Sequence, residues 1–261
     1  MKLGMTSFAA AALFAVVSFF AASPVQAAGE AVELEHQEWS WDGVLGGFDR
    51  QQLQRGFQIY REVCTACHGL DYIAFRNLEA IGYSEDQVKF LASQYEIEEC
   101  CDEFGDLFNR PAIPADRIPN PYPNEQFARA SNGGSLPPDL SLMTKARPNG
   151  PDYVYNLILG YQDPPADMAE EIMPGMYYNS VFDGNQIAMA QQLFEDLVEY
   201  SDGTPATEEQ MAKDVTAFLH WAAEPKLEQR KQTGIRVLLF TFVFTVLAYF
   251  LKRRIWADVK H

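Results

Sequence analysis

The chain has 261 residues, 48% of them apolar and 21% charged, which is enough to fill one large core or two small ones and excludes a wholly disordered protein. Its net charge of −16, from 20 Lys/Arg against 36 Asp/Glu, argues against a nucleic-acid binder, which would carry basic patches. Four cysteines are too few for a miniprotein built on disulfides.

In chain order, Lys2 is the only charge in residues 1–28 and is followed by an apolar run over 8–22 and small residues at Ala27 and Ala28. That order predicts a secretory signal peptide, cleaved after Ala27 or Ala28, and an exported domain over 29–225. Within 49–64, Leu53, Phe57, Tyr60 and Cys64 recur at helical spacing and predict a first helix. Residues 96–106, EIEECCDEFGD, are acidic and hold adjacent Cys100 and Cys101. This pair is open to three states: a vicinal disulfide, free thiols, or a bridge to another chain. Five prolines between 111 and 123 predict an extended wrap. DYVYNLIL, residues 152–159, follows Pro151 and stops at Gly160, which predicts a short helix. Another helix begins near Thr207, with Gln210 as its capping-box partner. Its apolar face is Met211, Val215, Phe218, Leu219 and Ala222, and Pro225 ends or bends it. Strand signals are weak and no internal repeat is evident, so the fold reads as mainly α with long irregular loops.

The end of the chain has a different character. Residues 226–234 read as a membrane-proximal helical segment, and 235–251 as an apolar run interrupted only by Arg236. Seventeen residues rise about 25 Å, slightly short of a hydrocarbon core, and Arg236 can snorkel to lengthen the span. Lys252, Arg253 and Arg254 follow, as expected of a cytoplasmic face, so 252–261 is predicted to be a basic cytoplasmic tail. Residues 29–225 carry a net charge of −23 and residues 226–261 a net of +6. Acidity of this size serves solubility and also suits electrostatic steering of a basic partner. The acidic groups are residues 96–106 and the set Glu195, Asp196, Glu199 and Asp202.

The motif with chemistry is Cys64-Thr65-Ala66-Cys67-His68, the C-x-x-C-H pattern of c-type haem attachment. Two thiols about one turn apart can each form a thioether with one vinyl group of a single porphyrin. The adjacent His68 then lies where its imidazole can ligate the iron. A thioredoxin-like redox pair or half of a zinc site are the alternatives. No strand signal precedes the motif, and a zinc site would have to draw on His36, His220 or His261. One motif implies one covalent haem c. The sixth ligand has candidates in Met143, Met168, Met173, Met176, Met189 and Met211, and chemistry alone leaves that choice open.

The stretches GFQIYREVCTACHGL, RASNGGSLPPDLSLMTKAR, PDYVYNLILGYQDPP, GMYYNSVFDGNQIAMA and DGTPATEEQMAKDVTAFLHWAAEPK, together with the terminal anchor, closely resemble the cytochrome c1 family. That family is the haem subunit of the proton-translocating quinol–cytochrome c oxidoreductase, or bc1, complex. The resemblance implies a cytochrome c-type haem domain and places the axial methionine at Met189, in NQIAMA. It implies that Arg129, which opens the R-x-x-N-x-G-x-L-P-P-D-L block, contacts a haem propionate. It also puts Pro137 or Pro138 beside the haem, leaving open which. One departure is that Ala190-Gln191-Gln192 follows Met189 where relatives often have Ala-Pro-Pro.

The implied function is electron relay in a respiratory or photosynthetic chain. The domain takes an electron from the Rieske iron–sulfur subunit and passes it to a soluble or tethered c-type cytochrome, beside a cytochrome b subunit. No catalytic acid or base is expected on this chain. The implied place is a bacterial inner membrane, crossed once, with the haem domain in the periplasm. A free-standing, membrane-tethered c-type carrier is the competing expectation, and a haem sensor with an open iron site is a third.

Overall fold

The computed structural model describes residues 34–258 apart from 102 and 167. The predicted signal segment 1–28 lies outside the described residues, as do the last three residues of the basic tail. The first helix, α1 (Arg50–Glu62), starts where Asp49 accepts hydrogen bonds from the backbone N–H groups of Gln51 and Gln52. Such a cap satisfies donors that have no partner inside the helix. Its buried face is Leu53, Gly56, Phe57, Ile59 and Tyr60, which adds Gly56 and Ile59 to the predicted stripe, while Cys64, predicted on that stripe, lies past the helix end in the following turn.

That face packs on α6 (Glu208–Ala223), the helix predicted after Thr207. Phe218 lies between Phe57 and Tyr60, with ring centroids 5.5 and 5.7 Å away, and Trp221 is stacked behind it at 5.7 Å. Contact is closest at Gly56, where an added Cβ would sit 2.0 Å from the carbonyl oxygen of Asp214. Asp214 is fully buried and takes Arg55 Nε at 2.7 Å and Gln210 Nε2 at 2.8 Å. The Thr207 hydroxyl accepts from the Gln210 N–H at 3.1 Å, as predicted. The reciprocal half of the capping box is not made, because the Gln210 amide serves Asp214 instead.

Smaller elements wrap this pair. A 3₁₀ segment, Phe75–Ile81, buries Phe75, Leu78 and Ile81 and leads to α2 (Glu85–Ala92), opened by a Ser84–Gln87 capping box. Strands β1 (Glu96–Glu99) and β2 (Phe108–Pro111) form an antiparallel hairpin with Glu99 opposite Phe108. The sequence left that hairpin unpredicted, since its strands carry charges where alternation would be read. Cys100 and Cys101 are paired with each other beyond β1. The proline-rich stretch after β2 runs without regular structure, as expected, until Asn124 caps α3 (Glu125–Ser131).

Next come α4 (Met143–Ala146) and α5 (Gly150–Leu159), the latter with Pro151 in its first turn. Gly160 ends α5 with φ −77°, so it is needed for room and not for a left-handed turn. An added Cβ there would meet Asn179 Oδ1 at 2.8 Å. Strands β3 (Tyr177–Tyr178) and β4 (Gln186–Ile187) form a second, very short antiparallel pair.

After Pro225, helix α7 (Leu227–Ile255) runs unbroken for 29 residues, about 43 Å. It includes the predicted 235–251 run and is the one helix among the described residues long and apolar enough to cross a membrane. From Val237 onward its large apolar side chains are exposed, which a soluble helix would not tolerate. Its first turns are fastened to the domain. Leu227 is buried, and Glu228 accepts from the Phe48 N–H at 2.8 Å and pairs with Arg50 at 2.7 Å. Lys231 Nζ donates to the carbonyls of Trp41, Gly43 and Gly46. No flexible linker separates domain and helix.

Candidate functional site

Helix α1 delivers the motif. It stops at Glu62, and the chain tightens into a 3₁₀ turn over Cys64–Ala66. The Cys64 carbonyl accepts from both the Cys67 N–H, at 3.1 Å, and the His68 N–H, at 2.9 Å. Both thiols are unpaired and half-buried. Burial, followed by the neighbouring Cys67, pushes the Cys64 thiol up to about 12, so it stays protonated at neutral pH. Tyr60, buried in the core, donates its hydroxyl to the His68 carbonyl at 3.3 Å.

The imidazole is oriented from far along the chain. His68 Nδ1 lies 2.8 Å from the carbonyl oxygen of Pro138. A carbonyl only accepts, so Nδ1 carries the proton and Nε2 keeps a lone pair, the form in which histidine binds a metal. Burial lowers the His68 pKa, outweighing the pull of the Pro138 carbonyl and Asp139, which favours that neutral form.

The contact belongs to a longer seam. Leu140 N–H donates to the Gly69 carbonyl at 2.9 Å, Asp139 accepts from the Asp71 N–H at 2.8 Å, and Ser141 accepts from the Tyr72 N–H at 3.1 Å. Asn120 closes the other side by donating to the Asp71 carboxylate at 2.7 Å. A Cβ on Gly69 would stand 1.9 Å from Asn120 Oδ1, so only glycine fits there.

Arg129 stands at the C-terminal turn of α3, exposed, and among the described residues its guanidinium reaches only the Gly134 carbonyl, at 3.4 Å. Among the described residues no carboxylate pairs with it. Gly133 and Gly134, with φ of 60° and 95°, turn the chain back so that Pro138 meets His68. The Arg129 loop and the His68 strap are thus one segment.

Met189 comes just after β4, half-buried. Its carbonyl accepts from the Tyr161 hydroxyl at 2.9 Å, and burial raises that phenol's pKa, keeping it a donor. Tyr161 is positioned by its bridge to Asn179, whose buried amide donates to the Leu157 carbonyl at 2.8 Å. A bay of about 760 Å³ opens here, lined by Tyr161, Ile172, Met176, Tyr178, Ala190 and Phe194. His68 and the two thiols do not line it. Of the other methionines, Met211 is locked in the core and Met173 is 55% exposed.

Of the other histidines, His261 lies outside the described residues, and the two within them have other partners. His36 pairs with Asp152 at 2.6 Å, and His220 stacks on Trp41 with its Nδ1 at 3.2 Å from the Thr144 hydroxyl. Among the described residues no three His, Cys, Asp or Glu side chains gather as a metal site. Two unpaired thiols directly beside an oriented imidazole are a donor set that fits a covalent haem. Asn120, Asp139, Ser141 and Tyr161 were missed from the sequence, because each acts through a partner distant in the chain, and Tyr60 was read only as part of an apolar helix face.

Part of the acidic surface is already engaged. Asp202 pairs with Arg55 at 2.8 Å, and Glu99 pairs with Arg110.

The family model described as "Cytochrome C1 family" matches residues 39–259. A protein named cytochrome c1 from Rhodospirillum rubrum is 47% identical over 98% of this chain and all of its own length. The mitochondrial cytochrome c1 heme protein of Schizosaccharomyces pombe is 47% identical over 89% of this chain and 75% of its own. A Bradyrhizobium diazoefficiens protein named cytochrome b/c1 is 47% identical over 85% of this chain and 35% of its own.

Proposed function

This chain belongs to the cytochrome c1 family, and from that premise we propose that it carries one covalent haem c and relays electrons within a quinol–cytochrome c oxidoreductase. The family is the haem subunit of bc1 complexes in respiratory electron transport. The observation that carries the reading is the His68 imidazole, held by Pro138 with Nε2 left for iron, directly beside two unpaired thiols.

In this reading Cys64 and Cys67 would hold the haem by adding their thiols across its two vinyl groups, His68 Nε2 and the Met189 sulfur would ligate its iron, and Arg129 would donate to a propionate. When bound, haem supplies a one-electron couple. The chain's own part is to orient the ligands, keep water from the iron and present a docking face. Methionine ligation and burial both favour a high potential.

Residues 1–28 act as a cleaved export signal, and 29–225 form the exported domain. Residues 226–234 lead to the span over 235–251, and 252–261 form the cytoplasmic tail. The membrane is a bacterial inner membrane with the haem domain in the periplasm. The exposed apolar face of α7 and the Lys252–Arg253–Arg254 cluster support this orientation. The electron donor is a Rieske iron–sulfur subunit, and a cytochrome b subunit packs beside α7. The acceptor is a basic c-type cytochrome steered by the acidic domain. The fastening of α7 by Glu228 and Lys231 favours a docked subunit over a free-swinging tethered carrier.

A reduced-minus-oxidised spectrum of the chain, purified from membranes in mild detergent with whatever accompanies it, tests the reading. One c haem together with b haems, reducible by quinol, is the expected result. A lone c haem that quinol cannot reduce identifies the tethered carrier, and absence of c haem overturns both.

A further inference from the structure

Leu45 is 88% exposed, more than any other large apolar side chain among the described residues, and its neighbour Val44 is 71% exposed. An exposed aliphatic pair on a loose loop would mean little. This loop is held firmly. Gly47 N–H donates to the Ser40 carbonyl at 3.1 Å and Asp42 N–H to the Trp39 carbonyl at 2.9 Å. An added Cβ on Gly46 would lie 2.0 Å from the Asp42 carbonyl oxygen, so the loop is folded tightly on itself. Lys231 ties three of its carbonyls, at Trp41, Gly43 and Gly46, to α7. Two aliphatic side chains are therefore presented to the outside by a fixed support.

Where they are presented gives the clue. Val44 and Leu45 share a cavity of about 240 Å³ with Lys231, Gln232 and Ile235 of α7. Ile235 opens the apolar run, and Lys231 lies one helical turn, about 6 Å, before it. The loop tip thus stands level with the start of the span, on a surface continuous with the helix. Arg230 is paired with Glu224 and Lys231 with the loop carbonyls, so the neck's cations brace the loop against the helix, and Arg236 stands beside Ile235 at the start of the apolar run.

We propose that Val44 and Leu45 enter the headgroup–acyl boundary of the leaflet on the domain's side, as a second membrane contact beside α7. Apolar side chains at that depth gain from burial without crossing the bilayer. A single helix leaves a domain free to tilt over the surface. A rigid loop set beside the helix axis adds a second point and fixes the tilt, and with it the direction in which the candidate haem site faces. This proposal rests on reading α7 as the membrane span.

The test uses the full chain, with the subunits that accompany it, in lipid nanodiscs. A nitroxide is placed by Leu45→Cys, by Val243→Cys within the span or by Asp86→Cys on the exposed face of α2, each in a Cys100→Ser/Cys101→Ser background that retains its c-haem bands. Collision rates with oxygen and with a water-soluble nickel chelate are compared in the reduced protein. The expected ratio of oxygen to nickel collisions exceeds one at positions 45 and 243 and falls below one at 86. Nickel access at 45 with oxygen preference kept at 243 overturns the loop contact and leaves the span standing. Nickel access at 243 overturns the span itself. A label at 45 that neither reagent reaches shows a protein neighbour over the loop, and this also overturns the proposal.

Discussion

His68 Nδ1 donates to the carbonyl of Pro138 across a separation of 70 residues, at 2.8 Å, while the carbonyl of Met189 is held independently by the Tyr161 hydroxyl at 2.9 Å. The two proposed axial ligands are therefore positioned by separate loops, and one can be altered without disturbing the other. Met189→Leu conserves volume and should leave the fold intact. The expected outcome is a midpoint potential lower by hundreds of millivolts, within the roughly 0.8 V range that axial ligands command. Carbon monoxide should then bind the reduced form. Redox titration and a carbon monoxide difference spectrum check this. A native potential with no carbon monoxide binding would move the assignment away from Met189, with Met176 in the adjoining bay as the next candidate.

Arg129 is an exposed guanidinium whose only hydrogen-bond partner among the described residues is the Gly134 carbonyl at 3.4 Å. An unengaged fork at the head of the loop that ends on His68 is placed to meet a carboxylate. With Arg129 at a propionate, as proposed, removing its charge favours the ferric state, so Arg129→Gln should lower the midpoint potential while the c-type bands persist. Arg129→Lys keeps the charge but loses the bidentate geometry and should shift it less. Equal potentials in all three proteins would make Arg129 an ordinary surface residue.

Gly56 marks the tightest approach of α1 to α6, with an added Cβ only 2.0 Å from the Asp214 carbonyl oxygen and 2.7 Å from the Phe218 Cβ. Alanine at this position would gain about 0.5–1 kcal/mol of helix preference. Overpacking a filled core costs about 1–3 kcal/mol, and here it would push on a buried carboxylate that depends on Arg55 and Gln210. The cost wins, and Gly56→Ala should be less stable by about 1–2 kcal/mol. The denaturation midpoint of the purified haem-loaded chain measures it. An equally stable variant would show that the helices can part at no cost.

Local physics made α1, α5, α6 and the C-x-x-C-H motif legible, because α1 announces itself in the spacing of Leu53, Phe57 and Tyr60 and needs no distant partner, whereas the short helices α2, α3 and α4 were not read. The long apolar helix α7 was legible for the same reason, since composition alone marks it as able to cross a membrane. Its fastening was not: Lys231 reads as a surface charge until the loop carrying Gly43 and Gly46 is folded beside it. At the candidate site the residues that would touch a haem could be named from the motif and from resemblance, whereas those that hold them in place could not. Nothing in the spacing of Tyr161 or Asn120 indicates a partner, since their hydrogen bonds go to Met189 and Asp71. The hairpin of β1 and β2 was hidden because Glu96, Glu98 and Glu99 replace the apolar alternation that usually marks a strand.

His220 makes stability depend on pH in a defined direction. It lies on Trp41 with ring centroids 4.7 Å apart, facing Thr144 from α4, with Glu224, Lys145, Asp42 and Arg230 as the charges around it. Burial, opposed by Glu224, lowers its pKa from 6.5 to about 4. Between those values the unfolded chain binds a proton that the folded chain lacks, so folding weakens as pH falls from 6.5 toward 4 and levels off below. The shift corresponds to about 3 kcal/mol over the whole window. His220→Gln removes the titration, so the stability of the wild type minus that of the variant should decline by this amount on acidification. His36 is shifted in the opposite sense by its hydrogen bond to Asp152, and its contribution cancels in that difference. Parallel pH profiles for the two proteins would mean that the imidazole is hydrated in the folded state and the Trp41 stack is open.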